Sequence, residues 1–317
     1  MTYSGSLTTT QRRTLRSLYP FHSVREIAKL TGLPYGQVRG YAEHLQDPTN
    51  AIPAPPGDGP AILFYDIETA PALVWVWSQW QTNVIATEQD WYMLSFAAKW
   101  RGSDEVFFVS IAQDPTFAPN SPNDRFVAER LREAFDRADV TVAHNGDKFD
   151  KRKANARFLY HDIDPPAPYE TVDTKKEASR YFANYSNSLK ELGRVYGLGG
   201  KVQHTGFDLW RDCMAGDRDA WAKMEEYNRQ DVVLLEKLYD KLTPFTGTPG
   251  TQGRPNMGHW KKGETVCPKC GGDDLIKRGY HRTKVSEFRT IQCKSCGGYS
   301  RLRFRRTQAG GNGVELV

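Results

Sequence analysis

Two proline- and glycine-rich stretches constrain how this chain of 317 residues can fold. Residues 48–60 contain five prolines and two glycines, and residues 244–256 contain three of each. Proline has no amide hydrogen to donate and its φ angle is fixed, so neither stretch is expected to continue a helix or an inner strand. The sequence therefore predicts three folded segments joined by these two linkers and followed by a tail: 1–47, 61–243 and 257–306, with the tail at 307–317.

The charges are segregated among these segments. Residues 1–50 carry six Lys or Arg and three acids, residues 251–317 carry fourteen and five, and the remainder carries 23 and 30. The net charge of +5 thus conceals a middle segment at −7. Basic ends favour a polyanionic partner such as nucleic acid, whereas an acidic centre favours bound cations. Ordinary solvated surface is the alternative explanation.

Membrane and export signals are missing from the sequence pattern. The chain contains no run of eighteen apolar residues, and its first residues lack the apolar stretch of a secretory signal. We therefore expect no membrane partner and a cytoplasmic location. The compact combination of modules favours a bacterial cell or a phage-infected one.

The middle segment alternates strand-like and helix-like patterns. Short apolar runs predict strands at 61–68, 91–100, 105–111 and 140–145, and periodic patterns predict helices at 124–138, 151–161, 188–197 and 218–242. This order predicts an α/β domain with a central sheet and helices on its faces. We expect most of the early tryptophans to pack in the core, with base stacking as the alternative for one or two of them: Trp75, Trp77, Trp80, Trp91 and Trp100.

The first predicted strand carries two acids, Asp66 and Glu68, directly after an apolar run. Side chains two residues apart project from the same face of a strand, so these carboxylates are expected to lie side by side. In a buried setting they repel each other unless a cation or a proton compensates them. The pair therefore predicts a metal site, although an Asp-x-Glu triplet also arises by chance in a chain of this length.

Two further motifs accompany this pair. Asp150 follows Asn145 and Phe149 where a strand gives way to a helix, a position at which an acid can also simply cap the helix. Tyr227 and Asp231 lie four residues apart in a predicted helix, and therefore on one face of it. We expect the acids of all three motifs to gather in one pocket.

Together these motifs resemble the DEDD 3′→5′ exonucleases, the DnaQ-like branch of the ribonuclease H-like superfamily, over residues 61–243. Tyr227, with Glu226 where the histidine subgroup carries histidine, resembles the tyrosine subgroup. The resemblance implies a ribonuclease H-like mixed sheet and a phosphodiesterase site with two Mg²⁺ or Mn²⁺ ions. It gives Tyr227 the role of orienting the attacking water, and it gives the metal-ligand role to Asp66, Glu68, Asp150 and Asp231.

Residues near the second motif are candidates for substrate contact. Asn145 and Lys148 are predicted to bind nucleic acid, and the basic cluster continues through 151–153. These cations would hold non-scissile phosphates or form an exposed helix face, and the sequence favours neither. His144 is expected to pack at the end of a strand, and Asp173 is expected to be structural.

The N-terminal segment contains the signals of one helix at 8–20 and of two more helices about a tight turn. Ser23 and Glu26 form a capping box, Gly32 suits the left-handed residue after the helix, and Val38 follows six residues later. This pattern, with Ala28 four residues before the glycine, resembles the helix-turn-helix family over about 40 residues. The core residues expected for it are Ile27, Leu30, Leu33 and Leu45.

The helix-turn-helix resemblance implies a DNA-facing third helix at about 35–45. Gln37 and Arg39 are the residues of this helix that we expect to contact nucleic acid. The same tri-helical motif also serves as a protein-docking or purely structural module, so DNA contact is one of two roles that it predicts.

Four of the five cysteines form two Cys-x-x-Cys pairs separated by 22 residues: Cys267 with Cys270, and Cys293 with Cys296. Two such knuckles predict a closed tetrahedral zinc site, and the alternating residues between them predict the hairpin of a zinc ribbon. One structural Zn²⁺ would supply folding free energy that so small a unit lacks, whereas disulfides are disfavoured in a cytosolic chain. Cys213 is expected to be a packed thiol.

The preferred function is a two-metal-ion 3′→5′ exonuclease acting on DNA, with the helix-turn-helix and the zinc ribbon holding the substrate. Arg303 and Arg305, at the basic end of the ribbon, are predicted to contact nucleic acid, and a protein partner for either module is the rival role. The alternatives are an exoribonuclease or structure-specific endonuclease of the same fold, and a non-catalytic sequence-specific DNA-binding regulator.

Overall fold

A five-stranded mixed sheet lies at the centre of the computed structural model of the protein. The structure describes residues 11, 14–15, 23–46, 52–114, 116–200, 205–246, 254–261, 264–283, 287–306 and 312–316. Its first seven strands are β1 (Ile62–Ala70), β2 (Leu73–Trp75), β3 (Ala86–Gln89), β4 (Tyr92–Trp100), β5 (Val106–Ser110), β6 (Val140–Ala143) and β7 (Glu170–Asp173). The central sheet has the order β5-β4-β1-β6-β7, in which β1 runs antiparallel to β4 and parallel to β6.

Eight helices are described: α1 (Val24–Thr31), α2 (Tyr35–Gln46), α3 (Arg125–Asp136), α4 (Asp150–Tyr160), α5 (Thr174–Tyr181), α6 (Leu189–Val195), α7 (Phe207–Met214) and α8 (Arg218–Leu242). Short 3₁₀ turns lie at Ile111–Gln113 and Met257–His259. No helix in the described part of the chain is both long enough and apolar enough to cross a membrane.

The central strands are buried because apolar residues occupy nearly all of their positions. In β4, eight of nine residues are buried, and in β1 the run from Ile62 to Tyr65 is buried on both faces. Phe64 packs edge-on against Tyr239 of α8, and Tyr65 packs in the same way against Phe135 of α3. A sheet covered on both faces is expected to read as continuous apolar runs rather than as alternation.

The predicted fold class is confirmed. The structure is a mixed α/β domain with a central sheet and flanking helices, and each strand and helix predicted for the middle segment is present. Sequence analysis missed the β2–β3 pair, the edge strand β7 and the eight-residue helices α5 and α7. These elements are too short to show a clear apolar period.

The N-terminal helices follow the predicted caps. Ser23 and Glu26 form the capping box of α1, and Gly32 ends that helix with φ 69°. Ile27 and Val38 pack with Leu15 in a small core, whereas Leu30 is 62% exposed, so its assignment to the core was wrong. Leu30 lies three residues after Ile27 but on the solvent side of a helix that has one narrow buried stripe. The side chain of Leu45 lies outside the described part.

Residues 275–316 form a second, four-stranded antiparallel sheet. Its strands are β8 (Leu275–Arg282), β9 (Glu287–Cys293), β10 (Tyr299–Arg306) and β11 (Asn312–Leu316), in the order β11-β10-β9-β8. The predicted hairpin between the cysteine pairs is present as β8 and β9. Strand β11 differs from the tail expected at 307–317, because Asn312–Leu316 pairs with Leu302–Arg306 of β10.

The cysteine-bearing unit is docked against the end of α8. Arg254 is buried and donates two hydrogen bonds to the Glu177 carboxylate of α5, each 2.6 Å long. Its guanidinium also lies 4.0 Å from the ring centroid of Tyr239. Lys269, inside the first knuckle, donates 2.8 Å hydrogen bonds to the carbonyl oxygens of Pro244 and Thr246. The end of the predicted second linker is therefore a packed joint.

Strands β2 and β3 form a hairpin, residues 73–89, that projects from the domain and is here named the tryptophan hairpin. Trp75, Trp77 and Trp80 are 62%, 79% and 91% exposed, so the expectation that they pack in the core was wrong. Trp100 is buried as expected, and Trp91 is partly buried. These tryptophans are apolar but not buried, because the hairpin is a separate two-stranded sheet outside the packed central sheet.

Candidate active site

The three acidic motifs meet in one open cleft with a volume of about 300 Å³. The end of β1, the start of α4 and the middle of α8 line it, together with the residues after β6, the first turn of α5 and the start of α6. The expectation that these acids gather in one pocket is thus met in the structure. The lining residues with functional groups are Asp66, Glu68, Thr69, His144, Asn145, Asp150, Lys175, Ser188, Tyr227 and Asp231.

The two acids of β1 are each oriented by a neighbouring donor. The Nδ2 group of Asn228 donates to Oδ2 of Asp66 at 2.8 Å and to its main-chain oxygen at 3.2 Å. Asn228 is itself fixed by Ser95, whose hydroxyl donates to Oδ1 at 3.4 Å. The indole Nε1 of Trp210 donates to Oε2 of Glu68 at 3.1 Å. Each carboxylate is therefore held in place before any ion binds.

Asp150 reaches the cleft through a tightly specified loop. Asn145 has φ 73°, and a Cβ on Gly146 would come within 2.6 Å of the Ala143 side chain, so glycine is required there. The carboxylate of Asp173 accepts hydrogen bonds from the main-chain N–H groups of Asn145, at 2.9 Å, and Asp147, at 3.3 Å. Asp173 therefore has the structural role expected of it, since it holds this loop.

Burial dominates the electrostatics of Asp150, the first residue of α4. It is 3% exposed and accepts a 3.2 Å hydrogen bond from the Ile67 N–H. Burial raises the pKa of its carboxyl from 3.8 to about 7, and the charge of Asp173 adds to this effect. An acid in this state gains from a nearby cation, which would favour the ionised form.

Tyr227 and Asp231 are one turn apart on the buried side of α8, as predicted. Burial raises the pKa of the Tyr227 hydroxyl far above its usual range, and the charges of Glu68, Asp231 and Asp66 raise it further. The hydroxyl therefore stays protonated and donates to Asp231. The ring of Trp210 packs edge-on against it, with the ring centroids 6.0 Å apart.

The donor set of the cleft fits hard divalent cations, because it consists of carboxylate oxygens. Among the residues that the structure describes, neither the four acids nor any three of them form a group whose oxygens all lie within 4.8 Å of one another. This spread is too wide for one ion to contact all four. It is compatible with two ions that share the acids, since the ions of such sites are about 3.5–4 Å apart.

A family model for the RNase_H superfamily matches residues 63–243, which is more than half of the chain. The chain belongs to the RNase_H superfamily. A comparison with curated proteins gives no match. Among solved structures, the family B DNA polymerase from the hyperthermophilic archaeon Pyrobaculum calidifontis is similar, with 15% identity and a TM-score of 0.43. The match covers 61% of this chain and 26% of the polymerase, so the chain spans about a quarter of that protein's length.

Membership in the RNase_H superfamily supports a nuclease-type function in general. The acids of the cleft all lie within the matched residues, on the strand and the helices that build the superfamily domain.

Other residues predicted to contact nucleic acid are scattered. Asn145 lines the cleft of the RNase_H domain, whereas Lys148 is exposed and does not line it. Gln37 and Arg39 lie on α2, and the side chains of Arg303 and Arg305 on β10 lie outside the described part. The roles of these residues in binding nucleic acid stay predictions.

The imidazole of His144 is packed, as expected. Its Nδ1 lies 2.9 Å from the Thr174 hydroxyl, and its Nε2 lies 2.9 Å from the Asn187 carbonyl oxygen. Both ring nitrogens are therefore engaged with the protein. The residue lines the cleft but serves to tie the end of β6 to the segment before α6.

Three residues of the site were missed by sequence reasoning: Asn228, Trp210 and Lys175. Asn228 had a usable signal, because it lies three residues before Asp231 and therefore on the same side of the helix. Trp210 had none, because α7 is remote from β1 in sequence. Lys175 was not predicted, because the sequence shows it only as one of two adjacent lysines. In the structure it brings a positive charge to the cleft.

The four cysteines form a separate cluster whose sulfurs all lie within 4.8 Å of one another. The Sγ atoms of Cys267 and Cys296 are 3.8 Å apart, and those of Cys270 and Cys293 are 3.7 Å apart. Four thiolates bound to zinc at about 2.3 Å lie about 3.8 Å from one another in a tetrahedron, so this cluster fits a zinc ion. Cys213 is buried alone in the main core, as predicted.

Each cysteine knuckle is closed by glycines. Gly271 and Gly297 have φ angles of 78° and 75°, and their N–H groups donate to the carbonyl oxygens of Cys267 and Cys293, both at 2.8 Å. The next N–H in each knuckle, of Gly272 and of Gly298, donates to a cysteine sulfur at 3.4 Å. Such donors stabilise thiolates and so favour a bound cation.

Proposed function

We propose that this protein is a two-metal-ion 3′→5′ exonuclease of the tyrosine-bearing DEDD type that hydrolyses the phosphodiester bonds of DNA. The observation that carries the proposal is the meeting of Asp66, Glu68, Asp150, Tyr227 and Asp231 in one cleft of an RNase_H-superfamily domain. Three separate chain segments contribute these groups, and the order and spacing of the motifs are those of that subgroup.

The four carboxylates would hold two Mg²⁺ or Mn²⁺ ions. When bound, the ions would supply Lewis-acid activation of the attacking water and neutralise charge on the scissile phosphate. Asn228 and Trp210 keep Asp66 and Glu68 oriented toward the cleft. The raised pKa of Asp150 means that its proton must leave when an ion enters, so occupancy of the cleft is coupled to pH.

Tyr227 is suited to hold the attacking water and unsuited to take its proton. Burial and three nearby carboxylates keep the phenol protonated by raising its pKa, so the hydroxyl acts as a donor. Because the phenol donates its single proton to Asp231, an attacking water would be held by donating to the phenol oxygen, beside that carboxylate in the same cleft. Positioning of this kind lowers the entropic part of the barrier.

The flanking units would hold the substrate. Arg39 and Gln37 on α2, and Arg303 and Arg305 on β10, are the side chains proposed for this, with Asn145 and Lys148 nearer the cleft. The four cysteines would bind one structural Zn²⁺, since a closed set of four thiolates leaves no coordination position for catalysis.

Digestion of end-labelled oligonucleotides tests the proposal. Single-stranded DNA, duplex DNA and RNA with a 5′ label are incubated with Mg²⁺, Mn²⁺ or chelator, and product lengths are resolved on a gel. We expect metal-dependent shortening of DNA by single nucleotides from the 3′ end, and protection when the 3′ end is blocked.

The same gel separates the alternatives. Products cut internally would identify an endonuclease, and faster shortening of RNA than of DNA would identify an exoribonuclease. Tight DNA binding without hydrolysis in any metal would contradict the proposal and leave the non-catalytic regulator.

A further inference from the structure

The tryptophan hairpin, residues 73–89, is an exposed apolar element that follows the cleft residues of β1 in the chain. Its large exposed side chains are Leu73, Trp75, Val76, Trp77, Trp80, Val84 and Ile85. Every residue from 73 to 88 except Val74 is exposed. Large exposed apolar patches on soluble proteins generally mark binding sites, so this hairpin needs a partner.

The hairpin loop has a defined conformation although it is exposed. The Ser78 hydroxyl accepts hydrogen bonds from the N–H groups of Trp80, at 3.3 Å, and Gln81, at 3.1 Å. The N–H of Ile85 donates to the Trp75 carbonyl oxygen at 2.9 Å, which closes the base of the loop. The indole rings are thus presented on a fixed backbone, as a binding surface requires.

Both ends of the hairpin join the rim of the cleft. At its start, Glu68 and Thr69 line the cleft, and only three residues separate Thr69 from Leu73. At its end, Trp91 lies two residues after Gln89, and the Lys153 ammonium sits 3.5 Å from the centroid of the Trp91 ring. The same ammonium lies 5.6 Å from the ring of Phe149, which lines the cleft. The chain therefore leads from the cleft into the hairpin and returns beside a residue of the cleft.

The composition of the hairpin favours contact with the bases of a nucleic acid over contact with its phosphates. Residues 73–89 contain no Lys or Arg and one acid, Glu88, so the hairpin is not built to bind phosphates. Indole rings instead offer flat faces on which any base can stack. Stacking needs unpaired bases, because the faces of paired bases are already covered by their neighbours.

We propose that the tryptophan hairpin binds unpaired nucleotides of the substrate strand by stacking their bases on Trp75, Trp77 and Trp80. The proposal rests on the proposed function in one respect, that the strand end lies in the carboxylate cleft. The hairpin then binds the part of the strand that has not yet reached the cleft, and this binding does not depend on the base sequence.

The reach of the hairpin sets the length of a suitable probe. Trp75 follows Glu68 by seven residues, so it lies within about 25 Å of it along an extended chain. An oligonucleotide of about twelve nucleotides spans roughly 40 Å when its bases are stacked, which covers the cleft and the hairpin together.

Binding of such a probe to the full-length protein tests the proposal without hydrolysis. Fluorescein-labelled oligo(dT) is titrated in Ca²⁺ and in chelator, and its anisotropy gives the dissociation constant. Trp77→Ala and Trp80→Ala are each expected to weaken binding about tenfold, as the loss of one stacked base does. Trp77→Phe and Trp80→Phe retain a ring and should stay within about threefold of the wild type.

Two controls separate stacking from other apolar contacts. Val84→Ala removes an exposed aliphatic group from the same hairpin and should leave binding unchanged. An oligonucleotide with abasic sites keeps the phosphates and lacks the bases, so the wild type should bind it about as weakly as the Trp→Ala variants bind oligo(dT). All variants lie on the exposed hairpin, which keeps the core intact.

Three results would overturn the proposal. The first is unchanged oligo(dT) affinity in the Trp→Ala variants, and the second is equal affinity of the wild type for intact and abasic strands. The third is a change of oligomeric mass in the Trp→Ala variants without a change in DNA affinity, which would identify the hairpin as an interface between protein copies. Hydrolysis is measured separately, so stacking without cleavage would refute only the exonuclease, and cleavage without stacking would refute only this proposal.

Discussion

The carboxylate cleft and the cysteine cluster are two candidate metal sites built on opposite plans. The cleft draws its acids from β1, α4 and α8, which are far apart in sequence and are held by a large apolar core. The cysteine cluster draws its ligands from two four-residue knuckles in a small sheet with few buried apolar residues. The first site is therefore preorganised by the fold, whereas the second unit is expected to need a bound ion for folding.

The largest effect is expected from loss of a cysteine ligand. Cys267→Ser or Cys293→Ser should abolish zinc binding and unfold the residues around β8 and β9, since zinc contributes about 10–16 kcal/mol to units of this kind. The RNase_H domain should stay folded. Elemental analysis of the purified proteins and limited proteolysis measure both outcomes.

Cys213 supplies the matched control for that experiment. Its thiol is buried in the main core, away from the cluster, so Cys213→Ala should keep one zinc per chain. The comparison between the two sites would fail if the Cys267 variant kept its zinc or if the RNase_H domain unfolded along with the ribbon.

In the cleft, ligand loss should remove activity and leave the fold intact. Asp66→Ala or Asp231→Ala is expected to lower Mg²⁺-dependent hydrolysis by about 10³-fold or more, because the ions lose a ligand. The melting temperature should not fall, because the variant has lost a carboxylate that repels the other acids of the cleft. Glu226→Ala, which removes an exposed acid from the same helix, should leave activity unchanged, and substantial hydrolysis by either cleft variant would refute the metal assignment.

Without metal ions, the free energy of unfolding should depend on pH because the Asp150 carboxyl is buried in the cleft. Burial raises the pKa of Asp150 from 3.8 to about 7, so the folded state keeps a proton that the unfolded chain releases in this range. In chelator, the stability contributed by this group is full below about pH 4 and falls as pH rises to about 7, by a few kcal/mol.

Asp150→Asn isolates this contribution, because the amide has no charge at either pH. Urea unfolding of both proteins between about pH 4 and pH 8 should show a fall in the wild type that the variant lacks, and Mg²⁺ should reduce the fall. If the unfolding free energies of the two proteins change with pH in the same way, Asp150 does not contribute this pH dependence.

Tyr227→Phe should have a smaller effect on catalysis. The variant loses the hydroxyl that donates to Asp231 but keeps the ring that packs on Trp210. We expect kcat to fall about tenfold to a hundredfold, as misplacement of a reactant does, with little change in KM. Steady-state kinetics decide the point, and a change confined to KM would place the tyrosine in substrate binding instead.

The smallest effect concerns the joint between the two sites. Lys269→Met removes two hydrogen bonds to the carbonyl oxygens of Pro244 and Thr246, and it should cost about 1–2 kcal/mol of unfolding free energy. Lys294→Met, in the second knuckle, is the control, because Lys294 is exposed and pairs only with an exposed acid, Asp274. Equal losses in the two variants would mean that Lys269 does not anchor the joint.

The ligands of both candidate sites could be predicted because each has a strong local signal. Alternation placed Asp66 beside Glu68, helical spacing placed Tyr227 above Asp231, and the knuckle spacing predicted the cysteine cluster. The supporting residues could not be predicted in this way. Trp210 reaches Glu68 across 142 positions, and such a contact leaves no periodic trace in the sequence.

The tryptophan hairpin shows the opposite limit of sequence reasoning. Its apolar residues predicted burial, but they are exposed. A residue is buried only where the rest of the chain covers it, and this cannot be read from composition. Leu30 of α1 was misplaced for the same reason. Residues whose partner is another molecule cannot be distinguished from core residues by their hydrophobicity alone.

Helix α8 connects chemistry that would otherwise be independent. It carries Tyr227 and Asp231 in its middle, and just beyond its last turn the chain receives Lys269 from between two cysteines, about 20 Å away. Unfolding of the cysteine-bearing unit would therefore remove two hydrogen bonds from the segment that directly follows this helix.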